Sequence, residues 1–430
     1  MNINESSGLA HEAGHGAAPD QPVSGTDRIV SLDFLRGVAV LGILFANITA
    51  FAHPMLVYSW PGAMPGGEQP ADGWVWLFQF VFVDGKFRGL FTLLFGAGMY
   101  MFVERAWSRG GSRRLQLRRL IFLLIFGLIH YFLIFVGDIL VLYAVSGFIA
   151  LSMLHWTAKT QLKVGIAWYL LGSLLLTGAL GTQAALEAMP EARAEAGEAW
   201  TQMSDEWDKQ IRDASAEREV MQGGSYPAVV SFRVTEQGTD LLQMLLIALV
   251  ETIPLMLIGM ALFRLGFFEA AAGRAKMKRW GWIGFIGGAG VSAALGWMAL
   301  AQNFPPFLTQ FVFNGPSALP RLAMILGLAA LLVLAADAAS RGWLGARFIA
   351  AGRMAFSNYI GTSLVMMLIF QGWAGGLYGE LHRLALLPVV LLGWVLMLGW
   401  SRPWLARFRY GPLEWLWRCL TYGRLFNIKR

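Results

Sequence analysis

His130 and Asp138 lie in the otherwise apolar run GLIHYFLIFVGDILVLY, residues 127–143. A polar group left in hydrocarbon without a partner costs several kcal/mol. Groups of this kind persist where they pair or do chemistry. An imidazole beside a carboxylate is the arrangement of a general base and its orienter: the ring takes a proton, and the acid stabilises the cation formed. Other segments offer related groups. His53 follows the apolar run 34–52, Asp84, Lys86 and Arg88 fall together in VDGKFRGLF, and Glu251 precedes Pro254 in LVETIPLML. A deeply placed carboxyl such as Glu251 is protonated or paired. Proton relay, substrate contact and a structural hydrogen bond are all open to it. Asn47 is placed to hydrogen-bond across helices.

Each group also has a plainer reading. Asp is a preferred N-cap, so Asp138 can simply start the next helix. Lys86 and Arg88 can reach lipid headgroups with long side chains. His53 suits an interfacial loop, and His130 can be a buried structural histidine.

The elements that hold these groups are membrane helices. The 430 residues are 56% hydrophobic and only 14% charged, whereas a soluble domain carries about 25% charged residues. A span needs about 20 apolar residues, with a range of about 17–25. By that measure spans fall near 34–52, 86–103, 119–136, 139–155, 162–182, 240–263, 279–301, 319–338, 354–371 and 384–401. The chain thus reads as an all-α, polytopic bundle of about ten spans over 28–401. Residues 1–27 read as a disordered tail, 183–239 as an external acidic helical insertion with a solvated face, and 402–430 as a basic tail. The step Gly137–Asp138 predicts a tight hairpin turn. Residues 74–83 (WVWLFQFVFV) are too short to cross and read as interfacial or re-entrant.

Arginine and lysine set the orientation. Arg105, Arg109, Arg113, Arg114, Arg118 and Arg119 share one short loop, and Arg264, Arg274, Lys276, Lys278 and Arg279 share another. Arg341, Arg347 and Arg353 form a third group. With both termini inside, all of them face the cytoplasm of a bacterial inner membrane, in contact with its lipids. His53, Asp84, His130 and Asp138 then collect near the outer boundary. On the basic face Asp33 and Arg36 stand one helical turn apart and can pair. Arg353, Asn358 and Tyr359 open the ninth span. That face could receive a phosphate-bearing ligand, or serve only orientation and anionic lipid. No P-loop, HExxH, GxSxG or Rossmann fingerprint is present. The single Cys419 excludes a cysteine-rich metal site, and neither a metal nor a nucleic-acid partner is expected.

Five stretches resemble the YeiB-type family of bacterial inner-membrane proteins, a domain of unknown function. They are RIVSLDFLRGVAVLGILFANI (28–48), DGKFRGLFTLLFGAGM (84–99), GLIHYFLIFVGDILVLYAVSG (127–147), GRMAFSNYIGTS (352–363) and GPLEWLWRCLTYGR (411–424). That family is in turn similar, more distantly, to transmembrane acyltransferases such as the heparan-glucosaminide N-acetyltransferase. The shared opening is here Arg28, Ser31, Leu32, Asp33, Arg36 and Gly37. The resemblance implies transfer of an acyl group from cytoplasmic acyl-CoA to an acceptor beyond the membrane, a glycan or another compound. It also implies a histidine after the first helix, for which His53 is the positional match; its surroundings AHPMLVYSW depart from the relatives' pattern. His130, inside a family stretch, is the second candidate, with Asp138 or Asp84 as orienter. The competing expectation is a transporter or channel for a small solute, with Glu251 and Pro254 at a broken helix.

Overall fold

The computed structural model describes residues 29–108 and 113–430. The tail 1–27, Arg28 and Arg109 therefore lie outside the described residues. Helices make up nearly all of the described chain, and the one β pairing found among these residues is an isolated bridge between Phe408 and Lys429.

In chain order the first half comprises α1 (Val30–Ala52), α2 (Met55–Ser59), α3 (Pro70–Phe82), α4 (Lys86–Trp107), α5 (Arg113–Leu133), α6 (Leu140–Leu151) and α7 (Ala158–Ala188). Then come α8 (Pro190–Ala196), α9 (Glu198–Gly223) and α10 (Tyr226–Thr235). The second half comprises α11 (Asp240–Arg264), α12 (Arg274–Ala301), α13 (Pro306–Asn314), α14 (Ala318–Arg341), α15 (Trp343–Arg353), α16 (Ala355–Phe370), α17 (Leu387–Arg407) and α18 (Pro412–Tyr422).

Each of the ten expected spans is helical, but by length and apolar composition six helical runs qualify alone. Two bent pairs raise the number to eight: Asp240–Leu246 with Leu249–Arg264, at 48°, and α15 with α16, at 87°. The two shortfalls have separate causes. Helix α6 has 12 residues, about 18 Å of rise against a hydrocarbon core of about 30 Å. Helix α4 is long enough but carries Lys86, Arg88, Glu104 and Arg105. This arrangement is that of an all-α membrane bundle.

Helix α1 is the central element, packed on α4, α14, α15, α16 and α17. Lipid tails are as apolar as the helices, so close packing rather than hydrophobic burial holds such a bundle together. Gly37 and Gly352 show how close. A Cβ on Gly352 would stand 1.8 Å from the Asp33 carbonyl oxygen, and one on Gly37 would stand 1.9 Å from that of Phe348. The backbones of α1 and α15 therefore touch, which sets Arg36 and Arg353, each beside one of these glycines, at the same end of the bundle.

The acidic insertion differs from its expected form. It is not only a solvated face, because α9 and α10 fold onto the end of the bundle and bury Trp207, Glu217, Met221 and Arg233. The Met221 carbonyl accepts from the Gly372 backbone at 2.9 Å, and Tyr226 donates its hydroxyl to the Leu133 carbonyl at 3.0 Å. Aromatic residues at 3.6-type spacing, Trp200 and Trp207, lie against Phe307. The 13-residue α3, covering the segment too short to cross, packs on α12 with Trp76 fully buried.

Candidate functional site

The hairpin between α5 and α6 brings His130 and Asp138 together. Nδ1 of His130 is 2.8 Å from Oδ1 of Asp138, and both side chains are fully buried. The other carboxylate oxygen accepts from the Val141 backbone N–H at 2.6 Å, so Asp138 caps α6 and orients the histidine at once. With the proton on Nδ1 donated to Asp138, Nε2 is left as a bare base, and it has no protein partner. The ring lies 5.0 Å, centroid to centroid, from that of Tyr359 on α16, whose hydroxyl accepts from the Ile139 N–H at 3.2 Å.

Tyr359, Ile139 and Tyr143 form one end of a cavity of about 380 Å³, within the size range of small-molecule sites. Its other end is basic. Arg36, Arg105, Arg119, Arg353 and Arg418 line it, against the carboxylates of Asp33 and Glu414. Five guanidinium groups thus stand against two carboxylates. Asp33 pairs with Arg36 at 3.1 Å, as their spacing predicts. Glu414 accepts from the Phe356 and Ser357 backbone N–H groups at 2.8 and 3.1 Å, capping the start of α16. The mouth therefore carries excess positive charge suited to an anion. Oε1 of the buried Gln116 and Nη1 of Arg418, both on residues lining the cavity, have no protein partner. The amphipathic α18 contributes to the basic lining, its Trp417 stacked on Arg119 with the guanidinium 4.3 Å from the ring centre.

The other expected residues do not join this pair. His53 is buried and its Nε2 bonds the Leu381 carbonyl at 2.8 Å. Burial pushes its imidazole down to about 4, so it is neutral near pH 7. Asp84 contacts neither histidine; it accepts from the Tyr58 hydroxyl at 3.3 Å. Lys86 does not extend to headgroups but turns inward, donating to the Phe80 carbonyl. Arg88 bonds Glu251 at 2.7 Å, and Arg321 approaches the same oxygen at 3.5 Å. Asn358 is satisfied by Ala351, Ser401 and Trp400, which fasten α16 to α15 and α17. Asn47 makes no cross-helix hydrogen bond among the described residues. The four groups expected at one boundary thus divide: His130 with Asp138, Asp84 with Tyr58, and His53 apart from both.

Sequence reasoning missed a second polar cluster. Asp72 on α3 sits 2.8 Å from Nδ1 of His382 and accepts from the Arg383 backbone at 2.9 Å. The Arg383 guanidinium reaches Gln79 at 3.2 Å and the Val57 carbonyl. Gln116, Arg418 and Arg321 were missed as well. Their only sequence signal is a polar residue inside or beside an apolar helix. Among the described residues no three His, Cys, Asp or Glu side chains converge on a metal site.

A bundle of apolar helices enclosing an arginine-lined cavity and a buried His–Asp pair defines an integral membrane protein with an internal ligand-sized chamber. The family model described as "Protein of unknown function (DUF418)" matches residues 262–424. The chain is 34% identical over 406 residues to the uncharacterized protein YeiB of Escherichia coli (strain K12), covering 92% of this chain and 96% of that one. It is 29% identical over 419 residues to the uncharacterized protein YxaH of Bacillus subtilis (strain 168), covering 94% and 96%. The protein belongs to this YeiB-type, DUF418 family. No solved structure matches it.

Proposed function

We propose that the protein is an acyltransferase of the bacterial inner membrane, with both termini cytoplasmic. Acyl-CoA enters the basic mouth from the cytoplasm, and the acyl group passes to an acceptor from the opposite side. The observation that carries this reading is the cavity itself, arginine-rich at one end and ending at Tyr359 beside His130 at the other. Arg36, Arg353 and Arg418 hold the phosphates, and the thioester lies along the apolar stretch lined by Phe91, Phe95 and Met99. Rotation of Tyr359 opens the chamber to the imidazole. Nε2 of His130 then takes the proton of an acceptor hydroxyl or amine as its oxygen or nitrogen attacks the thioester carbonyl. The tetrahedral intermediate collapses, the C–S bond breaks, and the imidazolium returns the proton to the departing thiolate. Asp138 stabilises the cation throughout. Products are the acylated acceptor and free CoA.

The test measures CoA thiol release from acetyl-CoA in proteoliposomes, with hydroxylamine as a surrogate acceptor. His130→Ala is expected to lower the rate by about 10²–10⁴-fold, the usual contribution of a general base, while His53→Ala stays within several-fold of the parent. Full activity in His130→Ala removes histidine catalysis.

One observation favours a second reading, solute transport. Oε1 of Glu251 is buried without a partner three residues before Pro254, just past a bend of 48° between Asp240–Leu246 and Leu249–Arg264. Solute flux abolished by Glu251→Gln, in a protein that releases no thiol from acetyl-CoA, decides for transport.

A further inference from the structure

His130 touches the walls of two cavities. On one side its ring meets Tyr359 of the large chamber. On another it meets Phe135 edge-on, with centroids 6.2 Å apart, and Phe135 stacks on Phe51 at 3.8 Å. Phe51 and Phe135 line a second cavity, of about 20 Å³, beneath α9 and α10. That volume holds a single water molecule.

The small cavity is polar where it meets the cap. Glu217 of α9 accepts from the Tyr378 hydroxyl at 2.9 Å. Arg233 of α10 and Gln371, just past α16, also line it, and both are more than nine-tenths buried. Yet Nε and Nη1 of Arg233 and Oε1 of Gln371 have no protein partner. Leaving a buried polar atom without a partner is costly. Three such atoms around one cavity mark a place built to receive hydrogen bonds from something else.

We infer that this cavity is the closed form of an acceptor site for a neutral polyhydroxyl compound, a sugar or polyol, over which α9 and α10 open and close. The inference rests on the acyl-transfer reading for the word acceptor, and on Glu217, Arg233, Gln371 and Tyr378 for the chemistry. A carboxylate and an amide oxygen accept hydrogen bonds while a guanidinium and a phenol donate them, which matches hydroxyls that do both. Above about pH 7, where Glu217 is ionised, a cationic ligand meets Arg233, an anionic one meets Glu217, and a neutral one meets neither penalty. The stacked pair of Phe51 and Phe135 gives the cavity an apolar wall for the C–H face of a sugar. Opening the cap lets hydroxyls take the place of water at the same partners.

The experiment uses the full-length protein in nanodiscs at pH 8, where Glu217 is ionised, without any thioester. Glucose, N-acetylglucosamine and glycerol are titrated by thermal shift, with glucosamine and glucose 6-phosphate as charged counterparts. A saturable rise in Tm with the neutral compounds, at least tenfold weaker for the charged ones, is expected. Arg233→Gln removes two donors, and Ala50→Leu fills the cavity from α1 with every polar group intact; each is expected to weaken binding at least tenfold. No saturable shift, equal binding of charged and neutral probes, or unchanged binding in a folded Ala50→Leu overturns the assignment. Absent sugar binding alongside intact CoA thiol release overturns the acceptor site alone. Sugar binding without thiol release overturns the acyl-transfer reading and leaves the sugar site standing.

Discussion

The bond from Ile139 N–H to the Tyr359 hydroxyl joins the α5–α6 hairpin to the chamber wall with one proton. Tyr359→Phe leaves that buried N–H without a partner, and a loss of about 1–3 kcal/mol of stability is expected. A fall in Tm checks it, and an unchanged Tm contradicts the assigned bond. The His130–Asp138 pair was legible in the chain because both residues sit on one hairpin, with Gly137 announcing its turn. Asp72 and His382 were not, since only the tertiary fold brings residues 310 positions apart into contact. The inward turn of Lys86 was equally hidden. A lysine at a span end satisfies either headgroups or a carbonyl, and composition does not choose between them.

Among the elements, α1 and α15 cross too closely for an added side chain. Gly352→Ala puts a methyl group against the Asp33 backbone, which cannot rotate away. Overpacking of this kind costs about 1–3 kcal/mol. Because it also separates Arg36 from Arg353, lower Tm and weaker acetyl-CoA binding are expected together; normal values for both contradict the crossing. The α9–α10 cap carries a pH dependence. Burial raises the Glu217 carboxyl from its ordinary 4.5 to about 7, against the lowering effects of Tyr378, the Met55 N–H and Arg233, with Asp240 raising it further. The folded form thus favours the protonated acid. Its stabilising contribution is complete below about 4.5 and is lost as pH rises through about 7. Amide exchange in α9, corrected for intrinsic rates, is expected to be faster at pH 8 than at pH 5.5, and Glu217→Gln to flatten the difference. Equal protection at both values contradicts this. From the sequence the cap read as exposed amphipathic helices with a solvated acidic face, because Glu and Asp dominate it. The few residues that dock it, Trp207, Met221 and Arg233, carry no periodic signal strong enough to stand out.

For the molecule as a whole, charge is distributed by position rather than amount. The grouping of arginines in a few loops was readable directly, and Arg105, Arg119 and Arg353 from those groups line the cavity together with Arg36 and Arg418. The cavity itself was not readable, since it exists only where α1, α4, α5, α6, α15, α16 and α18 meet. The break of 87° between α15 and α16 was hidden too: no proline marks it, and Glu414 on the distant α18 supplies the cap that starts the second helix. The most direct measurement of the central claim is the thermal stability of the purified protein with acetyl-CoA. A ligand at about 100 times its Kd stabilises by about 2.7 kcal/mol, so a saturable rise of several degrees is expected, lost in Arg418→Glu. No rise in the parent protein, or an equal rise in that variant, contradicts the assignment of the arginine-lined cavity to a CoA thioester.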